Sequence, residues 1–85
     1  MSEKFNPRLR AAFLEAAEKQ LRDNDPPETR RTYERLLREG HSEPGAKDLI
    51  GAAIAAETYW ILKEKQPFNH NRFVNTLNRL PDLPE

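Results

Sequence analysis

The run Ala46-Lys47-Asp48-Leu49-Ile50-Gly51-Ala52-Ala53-Ile54-Ala55-Ala56-Glu57-Thr58-Tyr59-Trp60-Ile61-Leu62 decides how the rest of the chain is read. It contains no proline, and Ala46, Leu49, Ile50, Ala53, Ile54, Trp60 and Ile61 recur at spacings that place them on one side of a helix. That side is wide but, because of its alanines, thin. Gly51, Ala52, Ala53, Ala55 and Ala56 would let another helix approach closely. Ser42 stands where a capping hydroxyl is needed and Pro44 falls in the first turn, so a helix over 43–65 is predicted, the longest of the chain.

Two features of this helix bear on function. Glu57 follows Ile50 by seven residues and Ala53 by four, which puts a carboxylate on or beside the buried stripe. A buried carboxylate must be paired, hydrogen-bonded or protonated. The expected partners are a tyrosine hydroxyl, Tyr33 or Tyr59, or an arginine of the preceding helix, which makes Glu57 with Tyr33 a candidate buried polar site. The second feature is the succession Tyr59-Trp60-Ile61-Leu62. At about 100° per residue, four consecutive large apolar side chains span about 300° of the helix, more than one small domain covers easily. Trp60 and Ile61 align with the stripe. Tyr59 and Leu62 are left near solvent, and Pro67 holds Phe68 close to the helix end. Tyr59, Leu62 and Phe68 therefore form the candidate partner surface. A competing expectation is that Leu80-Pro81-Asp82-Leu83 folds back over it.

Outward from this helix, proline, glycine and asparagine divide the chain into three further helical blocks. Asn6-Pro7 opens the first, with Asn6 as cap, and Leu9, Phe13, Ala16, Ala17 and Leu21 form its stripe. Asp23-Asn24-Asp25-Pro26-Pro27 closes it, because residues before prolines avoid helical dihedrals. The second block carries Tyr33, Leu36 and Leu37, extended by Thr29, and stops at Gly40. The fourth follows Asn69 as cap and turns Phe73, Val74, Leu77 and Leu80 inward. Helices are predicted over 7–24, 27–39, 43–65 and 70–79, with 1–5 and 81–85 as loosely held tails. No stretch alternates apolar and polar residues, so the fold class is all-α, a compact bundle of about four helices in a single domain spanning 1–85. The predicted core is Leu9, Phe13, Leu21, Tyr33, Leu36, Leu37, Leu49, Ile50, Ile54, Trp60, Phe73 and Leu77.

Composition narrows the chemistry. Of 31 apolar residues in 85, nine are alanine, leaving 22 larger side chains for one core. Fourteen basic residues balance fourteen acidic ones, and the balance holds in both halves. A protein held to nucleic acid mainly through phosphates normally carries a basic excess, so that class is disfavoured. The absence of cysteine excludes disulfides, thiol catalysis and cysteine-ligated metals. No apolar run is long enough for a membrane span and the N-terminus lacks a signal-peptide core, so no membrane partner is expected and the chain is read as cytoplasmic.

No residues have the spacing of a catalytic or cofactor motif, and no cofactor is expected. The two histidines, His41 and His70, lack partners at metal-ligand spacing; a mononuclear site would require the fold to gather His41, Glu43 and His70. Arg31, Arg35 and Arg38 share one side of the second helix and form the alternative nucleic-acid face. Glu28, Glu34 and Glu39 are interleaved with them, which favours a solvated, salt-bridged surface. As a helix–turn–helix the next segment is poorly suited to DNA, because it presents Glu43, Lys47 and Asp48 and then turns apolar.

The stretch Leu36-Leu37-Arg38-Glu39-Gly40-His41-Ser42, with Ala46 and Leu49-Ile50, is locally similar to ubiquitin-associated three-helix domains over about fifteen residues, a likeness of common residue types. In those domains the glycine turn forms part of a peptide-binding face. Nearly the whole chain resembles a family of short bacterial helical proteins of unknown function. The resemblance rests on Asn6-Pro7-Arg8-Leu9, Gln20-Leu21-Arg22-Asp23-Asn24-Asp25-Pro26-Pro27-Glu28-Thr29, Arg35-Leu36-Leu37, Gly40-His41-Ser42, Ala46-Lys47-Asp48-Leu49-Ile50, Glu57 and Leu80-Pro81. Pro44 and Gly45 depart from it, standing where helix-favouring residues are expected. The resemblance implies a helical fold and brings no activity with it. The function expected is protein–protein contact without catalysis, through an unidentified protein or a second copy in a homodimer. A nucleic-acid accessory role is the alternative, and an enzyme using Glu57 and a histidine comes third.

Overall fold

Turn chemistry sets the boundaries of four helices in the computed structural model, which describes residues 7–83. They are α1 (Pro7–Asp23), α2 (Pro27–Arg38), α3 (Glu43–Glu64) and α4 (His70–Arg79), with no strand among the described residues. The all-α fold with a long third helix is the one expected, and each boundary falls within one residue of its predicted position. The proposed Asn6 cap and the outermost tail residues, 1–6 and 84–85, lie outside the described residues.

Each junction has a local cause. At the end of α2, Gly40 adopts φ 102°, a conformation that side chains rarely tolerate. It lets the His41 N–H reach the Leu36 carbonyl at 3.0 Å and the Gly40 N–H reach Leu37 at 3.1 Å, the paired bonds of a Schellman motif. Asn24, at φ 51°, closes α1 in the same way, with Asp25 N–H donating to Gln20 O at 3.0 Å. The stop therefore comes from Asn24 as well as from the two prolines. Ser42 Oγ accepts from the Gly45 amide at 3.1 Å and Asn69 Oδ1 from the Arg72 amide at 2.9 Å, so both expected caps form.

α3 is the central element. At about 1.5 Å per residue its 22 residues reach about 33 Å, matching the longest molecular dimension of 33 Å. It touches all three other helices, whereas α1 and α4 make no contact with each other. Ala17, Leu36, Ala46, Ile50, Ala53, Phe73, Leu77 and Leu80 form the buried cluster, with Tyr33, Leu37, Leu49 and Ile54 packed partly against it. On the α1 side the small residues of α3 permit near contact of backbones. A Cβ added at Gly51 would lie 3.3 Å from the Phe13 carbonyl oxygen. Two ion pairs straddle this crossing, Arg10 with Asp48 and Lys47 with Glu18, the latter at 3.7 Å. At the α1–α2 joint, Thr29 Oγ1 donates to Gln20 Oε1 and an Arg30 guanidinium nitrogen donates to the Leu21 carbonyl, both at 2.7 Å.

Three predicted core positions are corrected. Leu9 is 53% exposed, because it lies one turn before Phe13, beyond the edge of the close α1–α3 crossing. Phe13 lies at the crossing, where its backbone faces Gly51, and its side chain is half-buried. Trp60 is also half-buried, because it lies near the α3 end past the Ile50–Glu57 contact zone. Leu80 is buried, as its place on the inner face of the fourth block predicts.

Leu36 is fully buried at the centre of this cluster. Leu36→Ala is expected to lower unfolding free energy by about 2–5 kcal/mol. Marginal stability of about 4–13 kcal/mol for a chain of this size makes that a large fraction. Gly51→Val is also expected to lower the denaturation midpoint, because the α1 backbone that it meets has no rotamer to move. An unchanged midpoint for Gly51→Val in chemical denaturation would show that the helices are not held this close.

Candidate functional site

Glu57 is 4% exposed, as its position on the stripe predicts. Its partners differ from those expected. Arg72 of α4 grips it bidentately, Nε donating to Oε1 at 2.8 Å and Nη2 to Oε2 at 2.8 Å. The Asn69 backbone N–H donates to Oε2 at 2.9 Å. Neither Tyr33 nor Tyr59 nor an arginine of α2 takes part. The phase of helix α3 aims Glu57 at the start of α4, and the chain reverses between Lys65, at φ 54°, and Asn69 to bring that start alongside.

The arrangement completes a helix cap across two elements. In a capping box the cap side chain accepts from the third helical amide, and a glutamate at that third position accepts from the cap amide. Here Asn69 performs the first half with the amide of Arg72, the third helical residue. Arg72 cannot perform the second, so Glu57 of α3 takes its place, and the Arg72 guanidinium binds the same carboxylate. A sequence signal for this partner exists. Arginine in the first turn of a capped helix has the wrong sign for the helix dipole, which calls for an acid close by.

Burial pushes the Glu57 carboxyl upward and is the largest single influence on it. The hydrogen bonds from Arg72, the Asn69 N–H and the Arg72 charge together outweigh it and hold the carboxyl below the ordinary glutamate range. The hydrogen bonds it donates to Glu57 likewise hold the Arg72 guanidinium above its usual value, against desolvation. A carboxylate kept charged in this way is a weak base and a poor proton donor near neutrality. Its chemistry is that of a clamp.

The remaining candidates are dispersed. His70 Nε2 lies 3.4 Å from Glu28 Oε2, joining the first turns of α4 and α2. The other Glu28 oxygen is buried without a hydrogen-bond partner. A bond from its own backbone N–H is the chief reason the Glu28 carboxyl sits below the ordinary range; burial opposes it and His70 assists. His70 is thus turned to Glu28, and His41, Glu43 and His70 do not gather; among the described residues no three metal-ligating side chains do. Of the three arginines proposed for nucleic acid, Arg35 is committed to structure. It binds the Glu39 carboxylate at 3.1 Å and the Leu77 carbonyl at 3.0 Å, while Arg31 and Arg38 are exposed.

Tyr59 is 57% exposed and Leu62 72% exposed. Tyr59 meets Trp60 edge to face at 6.0 Å, and the Lys63 ammonium lies 5.6 and 5.5 Å from the two rings. Phe68 is exposed too, but its ring contacts are Phe73 at 5.7 Å and His70 at 6.5 Å. At 100° per residue Tyr59 and Leu62 stand about 200° and 140° round the helix from Glu57. Phe68, the neighbour of Asn69, is on the Glu57 side. The aromatic residues thus divide into two groups, Tyr59-Trp60 with Leu62, and Phe68 with α4. Leu80 packs into the core, and the described tail leaves Tyr59 and Leu62 uncovered.

Glu57→Gln keeps the shape, removes the charge and sets an amide donor against Arg72. It is expected to cost about 1–3 kcal/mol near pH 7, read from thermal or denaturant unfolding. The folded-state pKa is depressed, so the contribution is present above the unfolded value of about 4.3 and is lost as pH falls through the folded value. The gap between wild type and variant should therefore close in acid. An equal gap at pH 3 and pH 7 would exclude the charge as its source. Arg72→Ala should be more damaging at neutral pH, because it leaves the buried carboxylate unpaired.

The chain matches no family model, no curated protein and no solved structure.

Proposed function

We propose that this protein acts by binding another protein, without catalysis, through the face of α3 that carries Tyr59 and Leu62. The observation behind this reading is the exposure of two large apolar side chains on a helix that is otherwise fixed on three sides. Tyrosine and leucine on a rigid helix offer apolar contact area at little cost in conformational entropy, and aromatic anchors dominate many interfaces. Lys63, seated against both rings, adds a charged rim. A cytoplasmic setting suits the role, and among the described residues no helix is long and apolar enough to cross a membrane. The nucleic-acid alternative is weaker with Arg35 engaged at the α2–α4 seam.

A photo-crosslinking residue placed at Leu62, in the full chain and in cells, tests the reading. A discrete protein adduct is expected from position 62 and none from Arg31, which occupies a different helix. If position 62 gave no adduct, the face would have no partner. Adducts with nucleic acid at position 31 would favour the alternative.

A further inference from the structure

The face at the end of α3 and the segment that leaves α4 have complementary surfaces. The face offers Tyr59, Trp60 and Leu62, with Lys63 beside the rings and Lys65 just beyond the helix. The segment is Pro81-Asp82-Leu83-Pro84. Leu83 is 45% exposed, a large apolar side chain without a place in the core, and Asp82 beside it is also exposed. The Asp82 N–H donates to the Arg79 carbonyl at 2.9 Å, a turn that ends α4 and leaves Asp82 and Leu83 exposed beyond it.

The two surfaces lie at opposite ends of one molecule. α4 begins beside the end of α3, where Asn69 meets Glu57, and runs back. Near its far end the Leu77 carbonyl accepts from Arg35, one turn before Glu39 and the connection into α3. α4 starts level with Glu57 and runs about 15 Å back along α3, so the segment after it leaves toward the first half of α3 and away from Tyr59. The described part of the segment, to Leu83, leaves the Tyr59–Leu62 face of its own chain uncovered.

We propose that the Tyr59–Leu62 face receives the Pro81–Leu83 segment of a second copy, so that copies join head to tail. This rests on the reading of that face as a contact surface and names its occupant. Leu83 sets against Tyr59 and Leu62, and Asp82 approaches Lys63 and Lys65. Pairing two such faces with each other would instead oppose lysine to lysine. The contact is heterologous: a pair of copies still offers one free face and one free segment, so association continues beyond the dimer, to a ring if the rotation closes and to an open series if it does not. It is also a weak contact, far below the ~800 Å² per partner of a stable interface, and salt reduces its charged part.

Sedimentation equilibrium of the full chain, from micromolar to millimolar, tests this with two variants at exposed positions. One is Leu83→Ser; the other combines Tyr59→Ala with Leu62→Ser; circular dichroism verifies that both are folded. Wild-type mass is expected to rise with concentration and to rise less in high salt. Each variant alone should associate about tenfold more weakly or stay monomeric. Their equimolar mixture should form dimers and nothing larger, because the face variant still donates a segment and the segment variant still offers a face. A monomeric wild type at millimolar concentration, association unchanged by Leu83→Ser, or a mixture that fails to dimerise would each overturn the proposal. If a Leu62 adduct with a different protein accompanies any of these results, the contact surface stands and only its occupant is wrong. If no adduct forms and the wild type is monomeric, both fail.

Discussion

A single carboxylate fixes the position of α4. Glu57 answers the cap amide of that helix and the guanidinium of its first turn, so the start of α4 is bound at three atoms to the last third of α3. The rest of α4 follows from that placement. Phe73, Leu77 and Leu80 are delivered to the core, and the Leu77 carbonyl comes within reach of Arg35. Without a partner for its charge, Glu57 would be an isolated anion in an apolar stripe, at a cost of several kcal/mol. Paired, it converts a ten-residue helix of modest propensity into a defined wall of the bundle.

The two sides of α3 are held by different means. On the α4 side large side chains interlock and a buried ion pair sets the register. On the α1 side glycine and alanine bring backbones together, and the charged pairs there are exposed and contribute little beyond orientation. A helix covered by close-packed small residues along one half has no similar cover along the other. That is why the apolar residues of its last turns, Tyr59 and Leu62, face outward while those of its first half are enclosed.

Helix limits were legible because the residues that set them act locally. Gly40, Ser42, Asn69 and the Pro26-Pro27 pair impose their conformations within a turn or two. Burial was legible where the stripe runs through the middle of an element, as at Leu36 and Ile50, and failed at its ends. Leu9 satisfies the same periodicity as Phe13, yet periodicity carries no information about how far the covering helix extends. Glu57 shows the same division. Its phase predicted burial, but its partner depended on a reversal of the chain at 65–69, and tyrosines on the wrong face were as plausible as Arg72. Tyr59 and Leu62 were readable as exposed by angular arithmetic alone, whereas the separation of Phe68 from them followed from the same reversal.

The reach of the Glu57 contact also bears on how the chain acquires its structure. The contact closes a loop of only twelve to fifteen residues, so little chain entropy is lost in forming it. A ten-residue helix is too short to persist in isolation, and the amide that Glu57 answers is among those that make helix initiation unfavourable. Order in α4 is therefore conditional on α3. A nascent α3, once formed, nucleates its neighbour by presenting an acceptor where an isolated peptide has only water. Local contacts of this kind keep mean sequence separation low, the regime in which helical domains collapse rapidly and without long searches.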